Sequence, residues 1–291
     1  MAKPFLRWAG GKRWLAPKLG PLIKQTLEGT YYEVFLGGAA LFFNIAPERA
    51  VLSDINEGLI DAYRVAEEFP DELIEALKSL RLTKKEYYRI RNDRPWNRSE
   101  RAVRFVYLNR TCYGGLYRTN RKGDFNVPFG GGSRTPKPLW EKGLLQAASK
   151  TLQMSDIRYQ VSDFQEVMEQ AKSGDVVYCD PTYARTKREQ FDRYNNNIFR
   201  WEDQSRLAKT CYRALDRGVL VIVSNTYCKD VRDLYPSAYR ICIERNKAIG
   251  NKAKNGNTGL EYLIILDPER RRRVWKTIGN IERIKKPIAD L

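Results

Sequence analysis

The sequence contains no histidine in its 291 residues. This absence excludes Ser-His and Cys-His nucleophile pairs, histidine general bases and the paired-histidine metal sites of metalloproteases. Any catalysis by this chain therefore has to use carboxylates, backbone groups, aromatic side chains and a cofactor.

Cysteine is scarce and scattered. The five cysteines are an odd number and never form a C-x-x-C pair, so the sequence predicts neither a disulfide framework nor a zinc site. They are Cys112, Cys179, Cys211, Cys228 and Cys242. We expect a reduced, cytoplasmic protein that binds no metal.

Long apolar runs are also missing. No segment is long and apolar enough to span a bilayer, and no signal-peptide core follows Met1. We therefore expect no membrane partner.

Acidic residues are few relative to basic ones. The chain has 35 Asp and Glu against 52 Lys and Arg, a formal net charge of +17. This excess predicts a polyanionic partner, and nucleic acid rather than a membrane. The alternative is a basic surface that is solvated and binds nothing specifically.

Two hydrophobic periodicities divide the chain. Between Asp54 and about Arg158 the apolar residues recur every 3.6 residues, as in helices, whereas short β-rich apolar runs stand on either side. The runs are Tyr31–Phe35, Ala50–Ser53, Arg158–Val161, Asp175–Cys179, Gly218–Val223, Tyr239–Ile243 and Glu261–Leu266. The sequence predicts an α/β fold with a helical domain inserted into its sheet.

The predicted domain boundaries follow from this pattern. One discontinuous domain comprises residues 1–55 and 150–291, and the helical domain spans residues 56–149. A stretch rich in Gly, Pro, Asn and Arg predicts an exposed loop or hairpin at residues 113–138. The tail "ERRRRVWKTIGNIERIKKP" is a charge run, either a solvated disordered end or a nucleic-acid arm.

Several turns stand where strands are predicted to end. The glycine pairs in "FLRWAGGKR" and "EVFLGGAALFF" let the backbone approach a ligand, but neither matches a Walker phosphate-binding loop. The strand ending in "VLSDIN" places Asp54 where α/β nucleotide-binding folds have a carboxylate for ribose hydroxyls. Alternatively, Asp54 caps the helix that begins at Asn56.

The order of the motifs resembles that of the Dam-type, α-group DNA adenine-N6 methyltransferases. The matching stretches are "FLRWAGGK", "EVFLGGA", "SDIN", a helical block, "LNRTCYGGLYR" with "GDFNVPFG", "SDF", "YCDPTYA", a run containing Phe191, Tyr194, Phe199, Asp203 and Gln204, and "VIVSN" (Val221–Asn225). The resemblance extends from Phe5 to about Leu266.

This resemblance implies both a fold and an activity. The fold is a Rossmann-like class I methyltransferase sheet of about seven strands with an inserted helical target-recognition domain. The activity is that of a monomeric, site-specific enzyme, of the kind found in restriction-modification, that methylates adenine N6 in double-stranded DNA. The methyl donor would be S-adenosylmethionine.

The stretch "YCDPTYA" carries the implied catalytic residues Asp180, Pro181 and Tyr183. In the family, the Asp carboxylate and the Pro carbonyl accept hydrogen bonds from the adenine amine, and the aromatic ring stacks on the flipped base. Thr182 replaces the second proline of the usual Asp-Pro-Pro-Tyr. This replacement frees a backbone N–H and loosens φ at that position. From the residues alone, these four could also be a simple strand-ending turn.

The resemblance also implies two sets of binding residues. The cofactor-binding set is Trp8, Ala9, Gly10, Lys12, Glu33, Phe35, Gly37, Asp54, Asp163 and Phe164; Lys12 is alternatively a surface lysine. The DNA-binding set is Arg7, Arg110, Tyr113, Leu116, Arg118, Asn126 and Pro128.

GATC is the expected target, because in GATC-specific relatives the position of Arg118 reads a guanine and that of Tyr113 intercalates. Gly114 departs from the family, which often has Asn there. Two alternative functions remain: an RNA adenine methyltransferase and a catalytically silent DNA-binding homologue.

Overall fold

A computed structural model describes residues 2–120, 122–131, 142–183, 199–245 and 259–279 of the chain. Phe191 and Tyr194, which belong to the family-like pattern, lie outside the described residues. So do Arg121, the end of the predicted loop and the part of the basic tail that follows Gly279.

The strands form one mixed seven-stranded sheet in the order β3-β2-β1-β4-β5-β7-β6. Their bounds are β1 Tyr31–Glu33, β2 Arg49–Asp54, β3 Asp156–Val161, β4 Val176–Cys179, β5 Leu220–Thr226, β6 Tyr239–Arg245 and β7 Gly259–Leu266. All seven predicted strands are confirmed within a few residues. The expected α/β, Rossmann-like class with about seven strands is confirmed as well.

The strand pairings are parallel on one side of the sheet and antiparallel on the other. β2 pairs in parallel with β3, β1 with β4, and β4 with β5. β7 runs antiparallel to both β5 and β6. β4 is buried along its whole length, as expected of a parallel strand covered on both faces.

Helices fill the connections, and five of those described lie in the block between Asp54 and about Arg158 that was predicted to be helical. Those five are α3 Glu57–Glu68, α4 Pro70–Ser79, α5 Lys84–Asn92, α6 Arg98–Thr111 and α7 Lys142–Gln153. The others described are α1 Ala16–Thr26, α2 Ala40–Ile45, α8 Phe164–Met168, α9 Trp201–Asp216, α10 Lys229–Leu234 and α11 Arg272–Gly279, with a 3₁₀ turn at Tyr113–Gly115. No helix in the described ranges has the length and apolar character needed to cross a membrane.

Side-chain caps set where the helices of this block begin. The side chains of Asn56, Thr83 and Asn97 each accept a hydrogen bond from the backbone N–H three residues later. Each cap satisfies one of the N–H groups that a helix start leaves without an internal partner. Pro70 begins α4 at a position where its missing N–H costs nothing.

By backbone contacts, the chain divides into two compact units. The first unit comprises Met1–Lys24 and Leu36–Phe164, and the second comprises Gln25–Phe35 and Gln165–Leu291. The first contains β2, β3 and the helical block, and the second contains β1 and β4 to β7. The predicted boundaries between the discontinuous domain and the helical domain, near residues 55 and 150, are defined by function rather than by compactness, and they stay a prediction.

An ion pair with a buried carboxylate joins two helices of the first unit. Asp61 on α3 is 1% exposed, and its carboxylate accepts a hydrogen bond from Arg101 Nε on α6 at 2.7 Å. The same guanidinium contacts Glu57 at 3.2 Å and the carbonyl of Trp96 at 2.7 Å. A carboxylate this deeply buried depends on its cationic partner.

We expect Arg101→Met to lower the free energy of unfolding by about 3 kcal/mol, because Asp61 would stay buried without its partner. Adding Asp61→Leu should recover most of this loss. Arg98→Met on the same helix is the control, since Arg98 and Glu68 are each 40% exposed, and it should cost less than about 1 kcal/mol. Urea unfolding measures all three, and equal losses for the two single substitutions would contradict the assignment.

Candidate active site and DNA-contacting residues

The second unit presents the Asp-Pro-Thr-Tyr turn directly after β4. Asp180 is half-buried, Pro181 buried, Thr182 exposed and Tyr183 half-buried. The turn therefore offers a carboxylate and an aromatic ring at the end of a fully buried strand.

Parallel pairing brings the end of β1 beside this turn. Glu33 lies opposite Tyr178 in the register, so Phe35 and Asp180 each follow the paired positions by two residues. The Phe35 ring packs edge-on against Phe199, with centroids 5.5 Å apart. The second unit thus brings together the predicted Phe35, the predicted turn and the family-like Phe199.

Glu33 faces the interior rather than the loop. Its side chain is 3% exposed and accepts a hydrogen bond from the hydroxyl of Tyr31 at 3.0 Å. Burial, followed by the Glu33 charge, raises the pKa of Tyr31 well above its usual value. Glu33 is therefore a buried acceptor within β1.

Buried polar side chains hold the turn after β4. The hydroxyl of Tyr183 donates to Glu261 Oε2 at 2.5 Å, and Gln204 Nε2 donates to the Thr182 carbonyl at 3.1 Å. Gln204 belongs to the family-like pattern, whereas Glu261 was missed by the sequence predictions. The signal that could have found it is a lone acidic residue inside the apolar run "GLEYLIIL".

In the first unit, Asp54 ends β2 and accepts backbone hydrogen bonds. Its Oδ1 receives the N–H of Asn56 at 3.0 Å, and its Oδ2 receives the N–H of Gly37 at 3.4 Å. Burial raises the pKa of the Asp54 carboxyl to about 6, although these N–H groups lower it. Asn56, not Asp54, caps α3, so the capping alternative is wrong.

Other residues lie with Asp54 where β2 and β3 end. Asp54 pairs with Val161 of β3, so Asp163 and Phe164 follow at the same edge. Phe164 is 3% exposed, whereas Ile55 is 76% exposed. Ile55 was also missed by the sequence predictions, and the signal was an apolar residue directly after a strand-end acid.

The N-terminal loop of the first unit is held by packing. The Trp8 ring stacks on Tyr117 with centroids 5.9 Å apart, while Ala9 is exposed. Lys12 is 3% exposed, and its ammonium donates to the Gly10 carbonyl at 2.9 Å. The alternative of a surface lysine is therefore wrong.

The predicted exposed loop is a hairpin in its described part. Isolated bridges join Cys112 to Phe129 and Thr119 to Phe125. Arg118 is exposed, and its Nε donates to Asn126 Oδ1 at 2.7 Å. Two of the predicted DNA-contacting residues therefore meet, and Asn126 orients the Arg118 guanidinium.

Asn109, near the end of α6, connects that helix to the N-terminal loop. Its side chain, 3% exposed, accepts the N–H of Arg7 at 2.9 Å and donates to the Arg7 carbonyl at 2.7 Å. A Cβ on Gly115 would lie 2.8 Å from Cβ of Arg7, so the two segments touch. Asn109 was missed as a site residue, although it stands within "LNRT". Gly114 has φ of +67°, a conformation that both Gly and Asn accept.

The remaining predicted DNA-contacting residues differ in exposure. Tyr113 and Leu116 are 50% and 40% exposed, and Pro128 is exposed. Arg110 is the exception, because it is 8% exposed and donates to the Phe5 carbonyl at 3.2 Å. In this conformation its side chain lies mostly inside the protein, and its DNA contact stays a prediction.

Metal ligation has no visible basis in the described ranges. No group of three or more Cys, Asp or Glu side chains there is arranged to hold a metal ion.

Comparison with known proteins decides the family. Residues 8–249 match the D12 class N6 adenine-specific DNA methyltransferase family. The chain belongs to this family. The expectation of an adenine-specific DNA methyltransferase enzyme is confirmed, and the family's substrate is DNA, which speaks against the RNA alternative.

Individual relatives cover almost the whole chain. A type II methyltransferase of Lactococcus lactis subsp. cremoris is 36% identical over 272 residues, 90% of this chain and 94% of its own length. One from Methanocaldococcus jannaschii is 35% identical over 91% of this chain and 99% of its own. The DNA adenine methylase of Escherichia coli is 32% identical over 88% of this chain and 91% of its own.

Two glycines of the methyltransferase allow a test of how tightly Trp8 is packed. Gly37 has φ of +46° and its Cβ would lie 2.7 Å from Trp8 Nε1, whereas Gly10 has φ of +85° and open space around it. We expect Gly10→Ala to cost about 1 kcal/mol from backbone strain alone, and Gly37→Ala at least about 1 kcal/mol more. Urea unfolding compares the two, and equal costs would show that Trp8 yields freely.

Proposed function

We propose that the chain transfers a methyl group from S-adenosylmethionine to N6 of an adenine flipped out of double-stranded DNA, with GATC as its target. The observation that carries the proposal is the half-buried Asp180 carboxylate, followed by Pro181 and Tyr183, at the end of the buried β4. The simple-turn alternative gives no reason for the buried polar side chains that hold this turn.

The turn supplies what an adenine amine needs in order to react. The lone pair of that amine is delocalised into the ring, so acceptors that hold its hydrogens favour a pyramidal, nucleophilic nitrogen. The Asp180 carboxylate and the Pro181 carbonyl act as these acceptors, and the proton lost from nitrogen leaves by way of Asp180. The Tyr183 ring stacks on the base and holds it in the site.

Residues of the first unit fit S-adenosylmethionine. Asp54 offers a half-buried carboxylate to ribose hydroxyls, and the exposed Ile55 offers an apolar face to a flat base. A pKa of about 6 leaves the Asp54 carboxylate charged above that pH, as an acceptor should be. Asp163 and Phe164 stand at the same edge, and the positive charge of Lys12 suits the carboxylate of the methionine end.

When bound, the cofactor supplies a methyl group already activated by a sulfonium centre. No histidine base is needed to activate it, which agrees with a chain that contains none. Trp8, Ala9, Gly10 and Gly37 form the surrounding loops, and Trp8 packs so closely on Gly37 that a Cβ there would lie 2.7 Å from its Nε1. Glu33 and Phe35 shape the loop after β1 in the second unit.

DNA contacts come from the hairpin and the N-terminal loop. Arg118, oriented by Asn126, presents a guanidinium fork of the kind that reads guanine O6 and N7 in the major groove. Tyr113 offers an exposed ring, and Leu116 an exposed apolar side chain, to the gap left by a flipped base. Pro128 and Arg7 lie beside the same segment. GATC rests on the resemblance and on these positions, and restriction-modification on the names of type II relatives.

We expect Asp180→Ala to lower the methyl-transfer rate about 100-fold or more, because it removes an acceptor used mainly in the transition state. Binding of S-adenosylmethionine and DNA should change little. The assay follows tritiated methyl transfer to duplex DNA, single-stranded DNA and RNA, with the exposed Asp216→Ala as control. An equal loss of cofactor binding would assign Asp180 to the cofactor, and a wild-type chain that methylates none of the three would be the silent homologue.

We expect Arg118→Ala to reduce discrimination at one base pair of the target by about 1–3 kcal/mol, because it removes a base-edge contact. Methylation rates on GATC duplexes and on duplexes with single substitutions measure this. Arg273→Ala in the basic run should leave discrimination unchanged, whatever its effect on overall affinity. If Arg118→Ala slowed all duplexes by the same factor, the readout role would be wrong.

A further inference from the structure

The Tyr183 hydroxyl donates a hydrogen bond to a buried carboxylate. Glu261 is 5% exposed and lies in β7, paired with Thr226 of β5 and Ile243 of β6. It accepts the Tyr183 hydroxyl at 2.5 Å. Neighbouring strands on both sides hold the backbone of Glu261 in place, so its side chain reaches Tyr183 from a fixed position in the sheet.

A second support reaches the same turn through two buried amides. The N–H of Thr226 donates to Asn225 Oδ1 at 2.8 Å, and Asn225 Nδ2 donates to Gln204 Oε1 at 2.8 Å. Gln204 Nε2 then donates to the Thr182 carbonyl at 3.1 Å. Because a backbone N–H can only donate, the first bond sets the direction of every bond after it. Both amide side chains are fully buried.

Both sets of hydrogen bonds start at one pair of facing residues in the sheet. Thr226, where the amide relay begins, is the residue paired with Glu261 in the antiparallel β5–β7 ladder. The two points that they hold, the Thr182 carbonyl and the Tyr183 hydroxyl, lie on either side of the Tyr183 ring. The ring is therefore anchored through its backbone and through its tip.

We propose that Glu261 and Gln204 are positioning residues for methyl transfer, which hold the Tyr183 ring at the angle needed to stack on the target adenine. This inference rests on the proposed function of the turn. It also accounts for an ordered turn with Thr182 in place of the usual second proline. A backbone carbonyl is present whatever residue stands at position 182, so neither the bond from Gln204 nor the bond from Tyr183 to Glu261 requires a proline there.

The test uses the full chain with S-adenosylmethionine and two duplexes. One carries the target adenine and measures turnover, and the other carries 2-aminopurine in its place, whose fluorescence reports unstacking and restacking. Tyr183→Phe, Glu261→Leu and Gln204→Met should each lower kcat about tenfold, with KM for DNA and cofactor affinity nearly unchanged. Tyr183→Phe combined with Glu261→Leu should be no slower than the slower single variant, because both remove the same bond. The flipped 2-aminopurine should fluoresce more strongly in these variants, since a loosely held ring quenches it less.

Two comparisons separate positioning from general packing. Glu261→Gln keeps an acceptor oxygen and should retain kcat within about threefold of the wild type. Tyr178→Phe removes a buried phenol that bonds Ser224 at 2.8 Å in the neighbouring strand and should leave kcat and fluorescence unchanged. Three results would overturn the proposal. The first is a kcat of Tyr178→Phe as low as that of Tyr183→Phe, and the second is a double variant whose loss of kcat is the product of the two single losses. The third is a Glu261→Leu variant with the wild-type kcat.

Asp180→Ala, measured in parallel, tells failure of this inference from failure of the proposed function. An inactive Asp180→Ala with a fully active Glu261→Leu would remove only the positioning role. A fully active Asp180→Ala would remove the proposed function itself, and the positioning role with it.

Discussion

Parallel pairing of β1, β4 and β5 is the constraint on which the site in the second unit depends. β4 is buried along its length, so its interior has no room for a polar side chain that lacks a partner. Polar groups within the strands, such as the Tyr178 hydroxyl bonded to Ser224, are already paired, so groups that are open to a ligand lie where the strands end, and the register makes β1 and β4 end together. Phe35 and the turn that begins at Asp180 share an edge for this reason.

The antiparallel strands give that edge its rigidity. β7 contacts β5 along six paired positions from Val221 to Thr226 and β6 along seven, so Glu261 is surrounded by ladder hydrogen bonds. A turn held from such a position keeps its geometry without a second proline. The departure at Thr182 is therefore compatible with an ordered turn, and the chemistry proposed for it needs only the carbonyl of Pro181 and the carboxylate of Asp180.

In the first unit, the backbone of Gly37 makes several of the contacts around Asp54. Gly37 adopts a left-handed conformation beside Trp8, its N–H points to Asp54, and its carbonyl accepts the hydroxyl of Tyr63 at 3.0 Å. Asn109 of α6 holds both backbone groups of Arg7, and Gly115 of the hairpin touches the same residue. Residues proposed to bind the cofactor and residues proposed to read DNA are thus each held by buried contacts within this unit.

The sequence by itself determined the elements and the family. Strand alternation, helical periodicity and caps such as Asn56 are local signals, and the order of the motifs was specific enough to indicate an adenine methyltransferase. Tertiary structure decided which polar groups lie inside. Arg110 and Lys12 are buried although arginine and lysine usually face solvent, and Glu261 meets Tyr183 across 78 positions of the chain. Burial and long-range hydrogen bonds depend on how distant segments pack, and no periodicity within a single segment records that.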